Sequence, residues 1–364
     1  MMSRLPLLRL TGHAEEQGRL HGLQAAELIH HNWAVYRRRF RVEARLNERD
    51  VLRQAELWRR RIADSYPNYA RTMSAIAAAS DLPLLAVVAL NVRYELLYSA
   101  FARQGLAGEE CTAAALLPGR VDCGRTLMAH NWDWIPEVKL VWLHQDRGGH
   151  QHQVLAVTEA GVVGPKIGIN SAGLAMAVNG LVSHLDRWDG PGIPFHVRCH
   201  RVLGARTLED AMAAAEEGDS PCSASFLLSG PRSAVAVERA PSGATRVHAT
   251  AGILVHANHF LAASELGIHQ PLGDERRSTY HRWRRMNALL SARTAWNEES
   301  LKQLLQDHDG YPDSICRHPI PEIAAGCRYA TSLALVLDPE AGSLYYAPGL
   351  PCRSTYGSLS LRGL

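Results

Sequence analysis

The sequence predicts an α+β fold built of stacked layers. Three observations carry that reading. The first 110 residues have a helical texture, the chain turns to short β runs at Cys111, and two later helical stretches lie between further β runs. Blocks of helices and strands, with no strict βαβ alternation, are what such a layered fold requires.

Taken in order, a short first strand leads into a turn and then a helix over 12–40, where Glu15, Glu16, Leu20, Leu23, Ala26 and Ile29 fall at roughly helical spacing. The runs 51–61 and 69–80 read as further helices. Leu82-Pro83-Leu84 interrupts the pattern, and an apolar helix resumes over 85–98. Residues 102–110 form a polar, Gly-containing approach to Cys111. From there β runs are expected at 112–117, 126–131, 139–145, 153–158, 166–169 and 174–179. Turn signals such as Pro118-Gly119, Gly148-Gly149 and Asn170-Ser171-Ala172-Gly173 separate them. The run 208–217 is an amphipathic helix, strands return at 224–229, 233–238, 245–249 and 252–256, and helices follow at 279–291 and 299–306. Residues 331–337 and 343–347 resemble a closing hairpin. No repeat, low-complexity tract or linker divides the chain, which reads as one domain over 1–364.

Composition narrows the function classes. Hydrophobic residues make up 46% and charged residues 21%, ordinary for a globule with a sizeable core. A net charge of +3 is too small to argue for nucleic acid or an anionic membrane. The basic clusters Arg37-Arg38-Arg39 with Arg41, and Arg282, Arg284 and Arg285, read as solvated helical faces. The first ten residues lack a long apolar segment and a small-residue cleavage site, and no run approaches 18 apolar residues. The seven cysteines (111, 123, 199, 222, 316, 327 and 352) include no pair at two-residue spacing, so neither a zinc ribbon nor a secreted disulfide framework is suggested. A cytoplasmic location is expected.

Chemistry concentrates where the texture changes. Glu109-Glu110-Cys111-Thr112 is followed about twenty residues later by Asn131-Trp132-Asp133-Trp134. If neighbouring strands carry the two segments, Cys111 and Asp133 meet at one end of a sheet. A thiol beside a carboxylate suits nucleophilic catalysis, because the thiolate is the reactive form and its surroundings set its pKa. The competing reading is that Cys111 is a small buried hydrophobe. His256 and His259 stand three apart, but no third ligand sits at metal spacing near them, and no metal is expected.

Four segments occur in a telling order: Cys111-Thr112; Asn131-Trp132-Asp133-Trp134; Gly173-Leu174-Ala175-Met176-Ala177-Val178-Asn179-Gly180; and His256-Ala257-Asn258-His259-Phe260. With Gly12-His13-Ala14-Glu15-Glu16-Gln17-Gly18 and Gly22 before them, and Tyr346-Ala347-Pro348-Gly349-Leu350-Pro351-Cys352 after, the set resembles the penicillin-acyltransferase family of self-processing N-terminal-nucleophile (Ntn) hydrolases, distant relatives of bile salt hydrolases and penicillin V acylases. The resemblance implies a four-layer αββα sandwich, two antiparallel sheets between helical layers. It also implies self-cleavage between Glu110 and Cys111 into fragments 1–110 and 111–364 that stay associated. Glu110 departs from the pattern, standing where the penicillin enzyme carries glycine.

By the same resemblance Cys111 is the nucleophile. The α-amine released by cleavage, with an ordinary pKa of about 7.7–8.0, serves as the base for its own thiol. Asp133 orients that amine, Asn258 supplies an oxyanion donor, Asn179 is its partner donor, and Arg282 is a buried arginine directed at the nucleophile. Taken alone, Asn179 with Gly180 reads equally as a turn, and Arg282 as a surface residue. His130 stands where the bile salt hydrolase branch has arginine, replacing a fixed cation by a group that titrates near neutrality. The function expected is an amidohydrolase cutting a linear C–N amide bond of a small N-acyl amine through a thioester. The alternative is N-acyl transfer from a coenzyme A thioester, and the reading of another class is a catalytically silent binding protein. No other cofactor, no nucleic acid and no membrane are expected; homo-oligomer formation is left open.

Overall fold

The computed structural model describes residues 5–105, 111–146, 153–269 and 277–363. Glu110 and its neighbours 106–109 lie outside the described residues. Among the described residues the chain forms strand β1 (Leu7–Leu10) and helices α1 (Ala14–Glu43), α2 (Glu48–Ser65), α3 (Pro67–Ser80), α4 (Leu84–Asn91) and α5 (Arg93–Gln104). Strands β2 (Thr112–Leu116), β3 (Leu127–Trp134), β4 (Leu140–Gln145), β5 (Val154–Glu159), β6 (Ile167–Asn170) and β7 (Ala175–Gly180) follow. Next come α6 (Phe195–Leu203), α7 (Leu208–Glu216), β8 (Ala224–Gly230), β9 (Ser233–Ala240), β10 (Gly243–His248) and β11 (Ile253–His256). Helices α8 (Arg277–Ser291) and α9 (Glu298–Leu304), then β12 (Ala330–Asp338), β13 (Ser343–Pro348) and β14 (Gly357–Ser360), complete it.

The strands form two sheets, ordered β1-β4-β5-β6-β7-β8-β9-β10 and β11-β2-β3-β12-β13-β14. One core lies between them, and a second lies under α8 and α9, on the outer face of the six-stranded sheet. Side-chain alternation sorts the central strands between the two. Ala113, Ala115, Met128, Trp132 and Trp134 join the inter-sheet core, and Ala114, Leu116, Leu127 and Ala129 join the outer one. These strands are buried on both faces; β2 is a run of small apolar residues, whereas β3 carries His130, Asn131 and Asp133 as buried polar groups.

Three expectations are corrected. The helix expected over 85–98 is two helices, α4 and α5, bent by 54° at Val92. No single described helix is long and apolar enough to cross a membrane. Helix α6 and strand β14 were not anticipated. The sheets are antiparallel except at one edge, where β1 pairs parallel to β4. That strand is followed by α1, which packs tightly on α3: a Cβ built on Gly18 would lie 2.4 Å from the Thr72 carbonyl oxygen. Glycine is what lets these two backbones approach. Behind the sheets, Arg93 and Tyr36 converge on the buried Glu159, with the Arg93 Nε donor 2.7 Å from the carboxylate. A buried ion pair needs this kind of added hydrogen bonding to offset desolvation.

Candidate active site

Cys111 stands one residue before β2, and Asp133 lies near the end of β3. The register Thr112↔Asn131 brings both to the same end of adjacent strands, as expected. Their side chains face opposite ways. Cys111 belongs to the inter-sheet core with Ala113 and Ala115, whereas Asp133 shares the outer face with Asn131.

Arg282, on α8, reaches Cys111 from that outer face. Its Nη1 donates to the Cys111 carbonyl oxygen at 2.7 Å and to Thr112 Oγ1 at 2.6 Å; its Nη2 donates to Asn258 Oδ1 at 3.1 Å, and its Nε to Ser278 Oγ at 3.1 Å. Only a planar guanidinium offers so many donors in one fixed fork. The basic cluster read as a solvated face divides accordingly. Arg282 is fully buried, and Arg285 pairs with Asp307 at 2.7 Å. Burial pulls the Arg282 pKa down from its ordinary value, while the nearby Asp133 and Cys111 act to raise it.

Asn258 follows β11. Its Nδ2 donates to Gly180 O at 3.0 Å and its backbone N–H to Thr279 Oγ1 at 2.8 Å. Arg282 has no acceptor to offer, so its contact identifies the Asn258 atom facing it as the oxygen, and the amide is held at both ends. One Nδ2 hydrogen goes to Gly180 O, leaving a second for a ligand. Gly180 is forced to be glycine: an added Cβ would sit 1.9 Å from the Tyr98 hydroxyl oxygen. Asn179 precedes it inside β7, opposite Ser225, so the Asn-Gly pair is strand and no turn. Its amide is fully buried, and neither its oxygen nor its nitrogen has a hydrogen-bond partner among the described residues. Such an orphaned amide costs about 1–3 kcal/mol, which marks the position as one where a ligand group is wanted.

Asp133 accepts a 2.6 Å hydrogen bond from Thr331 Oγ1, its cross-strand neighbour on β12, and its Oδ2 has no hydrogen-bond partner among the described residues. Burial pushes its carboxyl well above the ordinary carboxylate range, opposed by the Arg282 charge and by Thr331. Arg282 influences Asp133 through space, while the hydrogen bond that fixes the carboxylate comes from Thr331. His130 is corrected outright. It is fully buried, and desolvation together with the Lys166 charge lowers its pKa to about 3, so it does not titrate near neutrality. Nor do His256 and His259 present ligands to a metal. His256 binds Glu238 Oε1 and Ala257 O, each at 2.8 Å, and His259 contacts Thr279 Oγ1 at 2.9 Å.

Residues 121–322, more than half of the chain, match the family described as acyl-coenzyme A:6-aminopenicillanic acid acyl-transferase. The chain belongs to that family. Asp133, Asn179, Asn258 and Arg282 fall inside the matched span, and Cys111 lies ten residues before it (121 − 111). The acyl-coenzyme A:6-aminopenicillanic-acid-acyltransferase 40 kDa form of Emericella nidulans is 30% identical over 262 residues, covering 69% of this chain and 68% of that protein. Among solved structures, a mutant of the conjugated bile acid hydrolase from Clostridium perfringens aligns with a TM-score of 0.51 at 11% identity. That alignment covers 69% of this chain and 93% of the hydrolase. Penicillin V acylase from Agrobacterium tumefaciens aligns with a TM-score of 0.48 at 15% identity, over 70% of this chain and 87% of its own. The fold is that of the Ntn hydrolases, and family membership makes the chain an enzyme of amide hydrolysis or acyl transfer.

Sequence reasoning missed Thr331, Ser278, Thr279 and the Gly180 carbonyl. Thr331 sits on β12, nearly two hundred residues from the carboxylate it holds, and no local pattern marks such a partner.

Proposed function

We propose that this chain is a self-cleaving N-terminal-cysteine amidohydrolase acting on a small N-acyl amine. The observation that carries the proposal is the Arg282 fork, which holds the Cys111 carbonyl, Thr112 and Asn258 in one buried constellation. In the first stage the Cys111 thiol adds to the Glu110 carbonyl carbon. The C–N bond breaks, the nitrogen takes the thiol proton and becomes the Cys111 amine, and water then hydrolyses the Glu110 thioester. In turnover the amine takes the thiol proton, the thiolate attacks the substrate amide, and the amine product leaves with that proton. Water resolves the acyl-enzyme. Asn258 Nδ2 and the Asn179 amide are the donors for the developing oxyanion, and Asp133 Oδ2 receives the Cys111 ammonium.

A second reading, N-acyl transfer from an acyl-coenzyme A thioester to an amine, is favoured by the acyltransferase relative. The two share the acyl-enzyme and differ in what resolves it. Intact-mass measurement of the denatured protein tests processing, with two fragments ending at 110 and starting at 111 expected. A panel of N-acyl amines and acyl-coenzyme A thioesters, with and without acceptor amine, decides between water and amine. A chain that stays full-length through prolonged incubation overturns the self-cleavage.

A further inference from the structure

Away from Cys111, two other thiols and two imidazoles converge. His308, Cys316 and His318 lie in the segment after α9, and Cys352 lies in the turn after β13. One ligand atom from each falls within 4.8 Å of all the others. The separations are 3.1 Å between His308 Nε2 and His318 Nε2, 3.4 Å from His318 Nε2 to Cys352 Sγ, 3.6 Å between the two sulfurs, and 3.8 Å from Cys316 Sγ to His318 Nε2. Tetrahedral zinc, with Zn–S near 2.3 Å and Zn–N near 2.0–2.1 Å, sets its ligand atoms roughly 3.3–3.8 Å apart. Three of the four separations fall in that range, and the 3.1 Å between the two imidazole nitrogens is 0.2 Å short of it (3.3 − 3.1). A disulfide would bring the sulfurs to about 2.05 Å, far closer than they are.

We propose that His308, Cys316, His318 and Cys352 form a tetrahedral Cys2His2 site for a zinc-class divalent cation. Binding replaces two thiol protons, so two thiolates cancel the charge of one divalent ion and the centre is neutral. That balance suits Cys316 and His318, which are buried. Two sulfurs and two imidazole nitrogens select zinc over the harder cations, and four protein ligands close the coordination sphere, as in a structural site. The segment is pre-shaped for this. Cys316 N–H donates to Asp307 O at 3.0 Å and His318 N–H to Pro312 O at 2.9 Å; Asn131 Nδ2 donates to Leu305 O and Ile315 O at 2.8 and 2.7 Å. Arg317, between two of the ligands, exchanges hydrogen bonds with Thr331, the residue that donates to Asp133. The ion would tie the 308–318 segment to the turn at 352, directly behind the catalytic strands. This departs from the expectation of no metal, because the ligand spacing 308/316/318/352 contains no Cys-x-x-Cys or His-x3–5-His pair and only the fold assembles it.

The test needs no activity. The full-length chain, purified without chelator, should carry about one zinc by plasma mass spectrometry. After chelator treatment it should take up one Co2+, giving the intense visible bands of tetrahedral cobalt and a thiolate charge-transfer band. Cys111→Ala should bind cobalt unchanged, which separates this site from the proposed nucleophile. Cys352→Ala and His308→Ala, at the less buried ligands, should each remove the tetrahedral bands while circular dichroism stays native. The proposal is overturned if the chelated chain takes up no cobalt. It is equally overturned if both variants keep the bands, or if the fresh protein holds Cys316 and Cys352 in a disulfide.

Discussion

Cys111 and Cys316 are both fully buried, yet their surroundings assign them opposite work. Cys111 precedes a strand of small residues and has a guanidinium on its own carbonyl, and Asp133 lies at the same end of the adjacent strand. Cys316 sits in an irregular segment with a second thiol and two imidazoles at coordination distance. In the two proposals made above, the first thiol is the one that reacts and the second is held among ligands. Burial alone, the feature the two share, says nothing about role. What distinguishes them is whether the neighbours are donors aimed at a developing charge or lone pairs aimed at a common point.

Removing the reactive thiol gives the largest effect. Cys111→Ala should lose turnover and chain cleavage completely, read by product formation and by intact mass, with the cobalt spectrum of the other site retained. Turnover surviving in this variant removes Cys111 from the mechanism. Asn258→Ala comes next. One oxyanion donor is worth about 10²–10³ in kcat, so steady-state kinetics should show a loss of that order while iodoacetamide still modifies Cys111 in the cleaved protein. A folded variant with near-normal kcat shows that Asn258 is no oxyanion donor. Arg282→Lys keeps a charge but replaces the fork by a point donor. Leaving buried acceptors at Cys111 O, Thr112 or Asn258 unpaired should cost about 1–3 kcal/mol in urea unfolding, and an unchanged midpoint would show the fork to be dispensable for stability.

A last effect, confined to acid pH, concerns His130. The folded ring has a pKa lowered to about 3, whereas the unfolded value is near 6.5. Between those values the unfolded chain binds a proton that the folded chain refuses. Stability is therefore complete above pH 6.5 and falls as the pH drops toward about 3, at up to about 1.4 kcal/mol per unit. His130→Met should flatten that part of the acid limb. Urea midpoints measured from pH 7 to pH 4 that decline in parallel in both proteins would show that His130 does not drive it.

Most elements were legible in the sequence, because periodicity and turn residues mark them locally. The strand after Cys111 was placed correctly, but the next, expected to end at 131, runs on to Trp134 and takes Asp133 into the sheet. What else failed was long-range. Val92 breaks the apolar helix expected over 85–98 with no proline at the break, and β1 pairs in parallel with a strand some 130 residues away. In the site, Cys111, Asp133 and Asn258 could be read from motif order. The Arg282 contacts to Cys111 and Asn258, the Gly180 contact to Asn258 and the Thr331 contact could not, because each joins residues at least 24 positions apart (282 − 258). His130 shows the reverse failure: residue type suggested a neutral-pH switch, and burial removed it.

The parallel pairing of β1 with β4 bears on how the cleaved protein assembles. If the chain is cut before Cys111, the smaller fragment still supplies an edge strand to a sheet made otherwise of the larger one, and Tyr36 and Arg93 still reach Glu159 across the cut. The two pieces then constitute a heterodimer whose subunits were folded as one. Recovery from denaturant becomes second order: the uncut chain refolds at a rate independent of concentration, while the cut pair must find its partner by diffusion. Dilution, harmless before cleavage, then sets a limit on how often the assembled protein can be rebuilt.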